Sequence, residues 1–158
     1  MNTFLTQTGK NRPNWGDKKI VALDPGETTG ACSFVGMQMV HREQLQTSLL
    51  PLAAVTLRKY IMMMDPVLVV AEDYRVYKWK TESHAWAELH TPKLIGCLQL
   101  ICHDLKLPLV LQSAQVGKGF CTDERLKEWG FYQAANRHSN DAVRHACQWL
   151  MFGKELTA

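Results

Sequence analysis

Five short apolar runs along the chain have the length and composition of β-strands. The runs at 20–23 and 67–71 are continuous and aliphatic, which is typical of strands that are buried on both faces of a sheet. The remaining runs are more mixed, and turn residues such as Gly36 and Pro108 separate them from their neighbours. The pattern therefore predicts strands over 20–23, 28–35, 37–43, 67–71 and 109–111.

Between these runs, apolar residues recur at helical spacing. The spacing predicts helices over 49–64, 91–105 and about 139–152, with a short helix over 123–129. Ser48, Thr91 and Thr122 are candidate N-caps, and Asp65-Pro66 ends the first helix. The helix over 91–105 is apolar on much of its circumference. It is expected to lie between the sheet and another element, or to meet a partner subunit.

Carboxylates follow two of the predicted strands at the point where each strand ends. Asp24 follows the run at 20–23, and Glu72 follows the run at 67–71. A helix lies between these strands, so the crossover makes them parallel and both acids emerge at the same edge of the sheet. Asp24 alone is explained equally well as an acid that binds the N–H groups of a turn. The occurrence of both Asp24 and Glu72 at one edge of the sheet favours a functional site over an acid that only binds a turn.

A third acid comes from the last helix. His138, Asp141 and His145 lie beside its apolar stripe at positions i, i+3 and i+7. Asp141 alone could simply complement the helix dipole. Asp73 also neighbours Glu72, but consecutive side chains of a strand point to opposite faces, so we select Glu72 for the site.

Three clustered carboxylates repel one another unless cations neutralise them. Two divalent ions about 3.5–4 Å apart would do so, and could support in-line hydrolysis of a phosphodiester. Oxygen ligands favour Mg²⁺ or Mn²⁺ over zinc. Cys97, Cys102 and His103 lack a second ligand pair at zinc spacing, so no structural zinc site is expected.

Length and composition limit the class of protein. The 158 residues suffice for one domain, and a hydrophobic fraction of 46% is typical of soluble proteins. We expect a flexible N-terminal segment over 1–17 and one domain over 18–158. No apolar run is long enough for a transmembrane helix. The five cysteines are an odd number in scattered positions, which favours reduced thiols and a cytoplasmic location.

The net charge of +3 permits nucleic-acid binding without requiring it. A segment rich in aromatic and basic residues directly after Glu72 favours base stacking and phosphate contacts, although it could instead cover the edge of the sheet. Lys118 lies between two glycines, which suggests a phosphate contact, but the spacing is not that of a Walker A loop. The candidate DNA-binding residues are Tyr74, Arg75, Tyr77, Lys78, Trp79, Lys80 and Lys118.

The order of these elements resembles the RNase H-like fold, an α/β fold with a mixed five-stranded sheet flanked by helices. More narrowly, the chain resembles the phage-type branch of the RuvC family of Holliday junction resolvases, over about 19–152. The resemblance rests on Asp24-Pro25-Gly26 with Thr29-Gly30, on Glu72 after Val69-Val70-Ala71, and on Asn140-Asp141-Ala142.

The resemblance implies a homodimer that nicks four-way DNA junctions symmetrically and leaves 5′-phosphate and 3′-hydroxyl ends, in recombination, repair or phage DNA processing. It implies two Mg²⁺ or Mn²⁺ ions held by Asp24, Glu72, Asp141 and His138, although His138 could act as an acid–base group instead. Lys118 matches a catalytic or phosphate-binding lysine. Tyr77 matches an aromatic residue that stacks at the junction centre, with Tyr74 and Trp79 as rivals. The helix over 94–105 matches a dimerising helix.

Other classes remain to be distinguished. An RNase H or a flap nuclease would use the same acids, and a non-catalytic module that binds junctions would keep the fold without the chemistry. The Asp24-x-Gly26 turn also resembles the phosphate loop of sugar kinases and actin-like ATPases, but those proteins need two such domains around a nucleotide.

Overall fold

A computed structural model of the chain describes residues 14–75 and 89–154. Five strands form one sheet in the order β3-β2-β1-β4-β5. Strands β1, β2 and β3 are antiparallel neighbours, whereas β4 and β5 run parallel to β1. The predicted mixed five-stranded sheet is confirmed. The strands are β1 (Lys19–Asp24), β2 (Thr28–Val35), β3 (Gln38–Gln46), β4 (Leu68–Asp73) and β5 (Leu109–Ser113).

Helices cover both faces of this sheet. One core lies between the sheet and α1 with α2, and the other lies between the sheet and α5 with α4. The helix over 91–105 therefore buries its broad apolar stripe within its own chain, the first of the two arrangements expected for it. The helices are α1 (Leu50–Met64), α2 (His90–Asp104), α3 (Ala114–Phe120), α4 (Asp123–Glu128) and α5 (Arg137–Phe152).

Side-chain alternation along β1 and β4 determines which core each residue enters. Ala22 and Val70 pack on the α5 side, whereas Leu23 and Ala71 pack on the side of α1 and α2. The next residues continue this alternation. Asp24 and Glu72 therefore belong to the face that α5 covers, and Asp73 belongs to the opposite face.

Trp15 anchors the chain before β1. Its side chain is 2% exposed, packs in the α5-side core, and donates a hydrogen bond from Nε1 to the Leu150 carbonyl at 3.1 Å. Within the segment 1–17 that was expected to be flexible, Trp15 is thus docked on the domain. Residues 1–13 lie outside the described part of the chain.

Several local expectations need correction. The glycine-flanked stretch around Lys118, for which no element was predicted, is helix α3, and α5 begins at Arg137, two residues before Ser139. Helices α1 and α2 start without a side-chain cap, whereas Thr122 caps α4 by accepting from the Arg125 N–H at 3.3 Å. All five cysteines are free. Within the described ranges, no helix has the length and apolarity needed to span a membrane.

Candidate active site

Two strand ends supply the first carboxylates of the candidate site. β1 and β4 pair in parallel up to Leu23 opposite Ala71, so Asp24 and Glu72 are neighbours one residue beyond that pair. Both lie on the α5 face of the sheet, and their side chains are 13% and 21% exposed. The sheet therefore fixes both carboxylates at one edge while leaving them accessible to a ligand.

The N-terminal end of α5 lies directly over this edge. Arg42 of β3 donates to Ser139 Oγ at 2.9 Å and to Asn140 Oδ1 at 2.7 Å, and it also contacts the Phe131 carbonyl. Gly30 of β2, opposite Asp24 in the sheet, lies against the backbone of residues 138 and 139. These contacts hold the start of the helix so that His138 Nδ1 lies 3.2 Å from Asp24 Oδ2.

Burial and neighbouring charges raise the pKa of Asp24. The pKa of Asp24 is raised from 3.8 to about 6, first because burial disfavours its charged form and then because Glu72 and Asp141 repel it. His138 opposes this shift through its hydrogen bond and charge. The structure thus places Asp24, Glu72, Asp141 and His138 near one edge of the sheet, although they come from three separate parts of the sequence.

Asp141 is held by basic side chains from its own helix and from α3. Arg144 donates from Nε to Asp141 Oδ1 at 3.0 Å, and Lys118 Nζ lies 3.7 Å from Asp141 Oδ2. Arg144 also contacts Asp123 and the Cys121 carbonyl, so its guanidinium is fixed from three sides. The Lys118 side chain is more than half exposed and can reach a ligand at the site. The sequence did not single out Arg144, although it lies three residues after Asp141.

Glu72 contacts a buried histidine. His145 Nε2 lies 2.9 Å from Glu72 Oε2, and His145 Nδ1 lies 2.8 Å from Gln112 Oε1 on β5. The helical spacing already placed His145 beside Asp141, but its contact with Glu72 spans 73 residues and has no local signal. Nothing in the sequence pattern marked Gln112.

The remaining predicted DNA-binding residues lie at the start of the segment after β4. Tyr74 is partly buried, and Arg75 is exposed with Nε 4.0 Å from Asp73 Oδ2. Asp73 thus contacts Arg75 on the face away from Glu72, which agrees with the choice of Glu72 for the site. Tyr77, Lys78, Trp79 and Lys80 lie outside the described residues.

The donor chemistry at this edge suits a hard divalent cation. Among residues 14–75 and 89–154, no three His, Cys, Asp or Glu side chains form a ready-made metal-binding group. Each carboxylate is instead bonded to a basic side chain: Asp24 to His138, Glu72 to His145, and Asp141 to Arg144. The raised pKa of Asp24 reflects first its burial and then repulsion from Glu72 and Asp141, and a cation bound by the carboxylate oxygens would offset both effects.

Comparison with solved structures identifies the fold. RuvC of Thermus thermophilus in complex with a Holliday junction substrate is 13% identical, with a TM-score of 0.65, covering 83% of this chain and 91% of that protein. The yeast mitochondrial Holliday junction resolvase is 11% identical, with a TM-score of 0.60, covering 95% and 82%. The fowlpox virus Holliday junction resolvase is 9% identical, with a TM-score of 0.55, covering 83% and 96%.

Sequence comparisons do not assign the chain to a protein family. No protein-family model matches the chain, and no curated protein matches it. The chain therefore has the RNase H-like fold of RuvC and of other Holliday junction resolvases, and it has this fold at low sequence identity.

Proposed function

We propose that this protein is a metal-dependent endonuclease that resolves four-way DNA junctions. The observation that carries the proposal is the meeting of Asp24, Glu72 and Asp141 at one sheet edge, in a chain with the fold of Holliday junction resolvases. Such an enzyme would act in DNA recombination, repair or phage DNA processing, in the cytoplasm of a bacterial or phage-infected cell. The same acids would also serve a flap nuclease or an RNase H, so substrate choice is the property to test.

The site residues have distinct proposed roles. Asp24, Glu72 and Asp141 would hold Mg²⁺ or Mn²⁺, with two ions per site, and His138 would serve as a further ligand or as an acid–base group. When bound, such ions activate water for attack on the phosphodiester and stabilise the departing 3′ oxygen, giving 5′-phosphate and 3′-hydroxyl ends. Arg144 keeps Asp141 oriented toward the site, and Lys118 is free to turn from Asp141 toward a DNA phosphate.

DNA contacts are proposed for the residues that follow β4. Tyr74 and Arg75 directly continue the strand that carries Glu72, and Arg75 is exposed. Tyr77, Lys78, Trp79 and Lys80 come next in the sequence and combine stacking with positive charge. A branched DNA bound by this segment would have its backbone beside the carboxylates.

The decisive experiment is cleavage of a labelled synthetic four-way junction in Mg²⁺, mapped to the nucleotide. We expect two symmetric nicks and little cleavage of linear duplex, flaps or RNA–DNA hybrid. Preferential cleavage of a flap or a hybrid would identify one of the other nucleases. Binding of the junction without cleavage in either Mg²⁺ or Mn²⁺ would identify a non-catalytic module.

Paired nicking requires two copies of the chain, and α1 offers the surface that supports a homodimer. Leu52, Val55, Met62 and Met63 are 59–64% exposed and follow one another at helical spacing on its outer face. Exposed apolar patches of this kind mark interaction surfaces. The resemblance favoured α2 as the dimerising helix, but α2 buries most of its apolar residues against the sheet and α1. We therefore propose α1 as the centre of the dimer.

The double substitution Val55→Glu with Met62→Glu is expected to convert a dimer into a monomer, because it introduces like charges into the centre of an apolar contact. Light scattering after gel filtration measures the mass directly. Leu100→Glu on α2 is the matched control, since Leu100 is equally exposed, at 62%, and is expected to leave the dimer intact. A wild-type monomer at micromolar concentration, or dissociation by Leu100→Glu alone, would contradict this assignment.

A further inference from the structure

Helix α5 contains a histidine that the chemistry proposed above does not use. His145 lies one helical turn after Asp141 and is 1% exposed, so its ring cannot contact a substrate from solvent. Both ring nitrogens nevertheless have polar partners: Nε2 faces Glu72 at 2.9 Å and Nδ1 faces Gln112 at 2.8 Å. A buried imidazole with two such partners has a fixed orientation.

Gln112 is itself held in position. Its amide Nε2 donates to Gln148 Oε1 at 2.7 Å, which directs its Oε1 toward the histidine. Gln112 pairs with Glu72 across β4 and β5, so both side chains lie on the same face of the sheet. A continuous chain of hydrogen bonds thus runs from Gln148 through Gln112 and His145 to Glu72.

Helix α3 confines the same ring from the other side. A Cβ at Gly117 would lie 3.0 Å from His145 Cε1 and 3.2 Å from each ring nitrogen, so a side chain there would push the ring away by a few tenths of an ångström. Gly119, on the far side of Lys118, has open space where its Cβ would be. The ring is therefore buried between α3 and the sheet, in close contact with the backbone at Gly117.

We propose that His145 is a positioning residue for Glu72: held by Gln112 and by the close approach of Gly117, it fixes the carboxylate of Glu72 in the orientation that binds the divalent ion. This inference rests on the proposed function, since it assigns the support of one of its metal ligands. Hydrogen-bond partners that orient ligands in this way commonly change metal affinity by about 10–100-fold when they are removed.

The first test measures Mn²⁺ binding to the full-length protein without DNA, by calorimetry. His145→Leu replaces the imidazole with an apolar side chain of similar size and removes both polar contacts. We therefore expect Mn²⁺ binding to weaken about 10–100-fold. His145→Gln, which can present an N–H toward Glu72, is expected to recover part of this loss. Val143→Ala, at a fully buried position on the same helix whose apolar side chain cannot hydrogen-bond to Glu72, should lower the melting temperature without changing Mn²⁺ affinity.

A second pair of variants leaves His145 and Glu72 in place. Gly117→Ala and Gly119→Ala both flank Lys118, but only the first forces the imidazole to move. We expect Gly117→Ala to weaken Mn²⁺ binding about tenfold, within the range given above, and Gly119→Ala to bind as the wild type does. The Mn²⁺ concentration needed for half-maximal junction cleavage should shift in parallel, while gel-shift affinity for the junction stays constant.

Two outcomes separate this inference from the proposed function. In the first outcome, the wild type binds Mn²⁺ and Asp24→Asn does not, but His145→Leu and Gly117→Ala bind Mn²⁺ as the wild type does. This result would overturn the positioning role of His145 and leave the metal site standing. If the wild type does not bind Mn²⁺, or binds it as tightly after Asp24→Asn, both the metal site and the role of His145 are overturned.

Discussion

Asp24→Asn is expected to reduce junction cleavage about 10³-fold or more, equivalent to a loss of about 4 kcal/mol of transition-state stabilisation. The amide keeps the shape of the side chain and can still bond to His138, but it removes the charge at the centre of the three acids. Binding of the junction in a gel shift without divalent cation should be unchanged, because the substitution leaves every proposed DNA-binding residue in place. The measurement is single-turnover cleavage of a labelled junction in Mg²⁺.

Asp73→Asn is the matched control, since Asp73 neighbours Glu72 in sequence but contacts Arg75 on the other face of β4. Its cleavage rate should stay within about threefold of wild type, the size of effect expected when no interaction with the transition state is lost. Asp24→Asn should also raise the melting temperature by about 2 °C or more, because it removes a charge that is disfavoured first by burial and then by repulsion from Glu72 and Asp141. Undiminished nicking by Asp24→Asn would refute the assignment of the site.

The two strand-end acids could be predicted because their signals are local. A continuous aliphatic run predicts a buried strand, a helix between two such runs makes them parallel, and alternation separates Glu72 from Asp73. Each step needs only neighbouring residues and a general rule of chain handedness. The structure agrees with all three, with Asp24 and Glu72 adjacent on the face that α5 covers.

Helix α3 could not be predicted because tertiary packing overrides local propensity there. Gly117 and Gly119 disfavour a helix by about 1 kcal/mol each relative to alanine, so local propensity does not predict one there. In the structure, α3 packs against α5, and Gly117 is the position where a side chain would strike His145. The contacts of His145 with Gln112 and Glu72 could not be predicted from the sequence either, because they join residues 33 and 73 positions apart.

The choice between α1 and α2 as a dimer surface shows the same limit. Both helices carry apolar residues at helical spacing, and periodicity alone does not tell which side of a helix another part of the chain covers. We place the proposed dimer at α1 because Leu98 and Ile101 of α2 are buried against the sheet, whereas Val55 and Met62 of α1 are exposed.

The start of α5 is set by contacts that lie in β2 and β3. Arg42 binds Ser139 and Asn140, while Gly30 gives the backbone at residues 138 and 139 room to approach the sheet. Gly30 lies directly opposite Asp24 in the β1–β2 ladder. One small residue therefore determines how close His138 and Asp141 come to Asp24.

Gly30→Ala is accordingly expected to disable the site without removing any chemical group from it. A Cβ at this position would lie 1.9 Å from the His138 carbonyl oxygen and 2.6 Å from the Ser139 nitrogen. These are backbone atoms, so a change of side-chain rotamer cannot remove the clash. The start of α5 must move away from Asp24, and a displacement of about 1 Å at a catalytic group costs about 100-fold in rate. Overpacking of this kind should also lower stability by about 3 kcal/mol, or about 6–12 °C in melting temperature.

Junction cleavage and thermal unfolding measured on the same preparation separate these effects. Gly96→Ala is the matched control, because its Cβ would meet nothing within 4 Å and alanine favours the helical conformation of α2. It should cleave as the wild type does and unfold at the same or a slightly higher temperature. If Gly30→Ala also retained full activity and stability, α5 would not need its close approach to β2, and the carboxylates would not depend on that approach to meet.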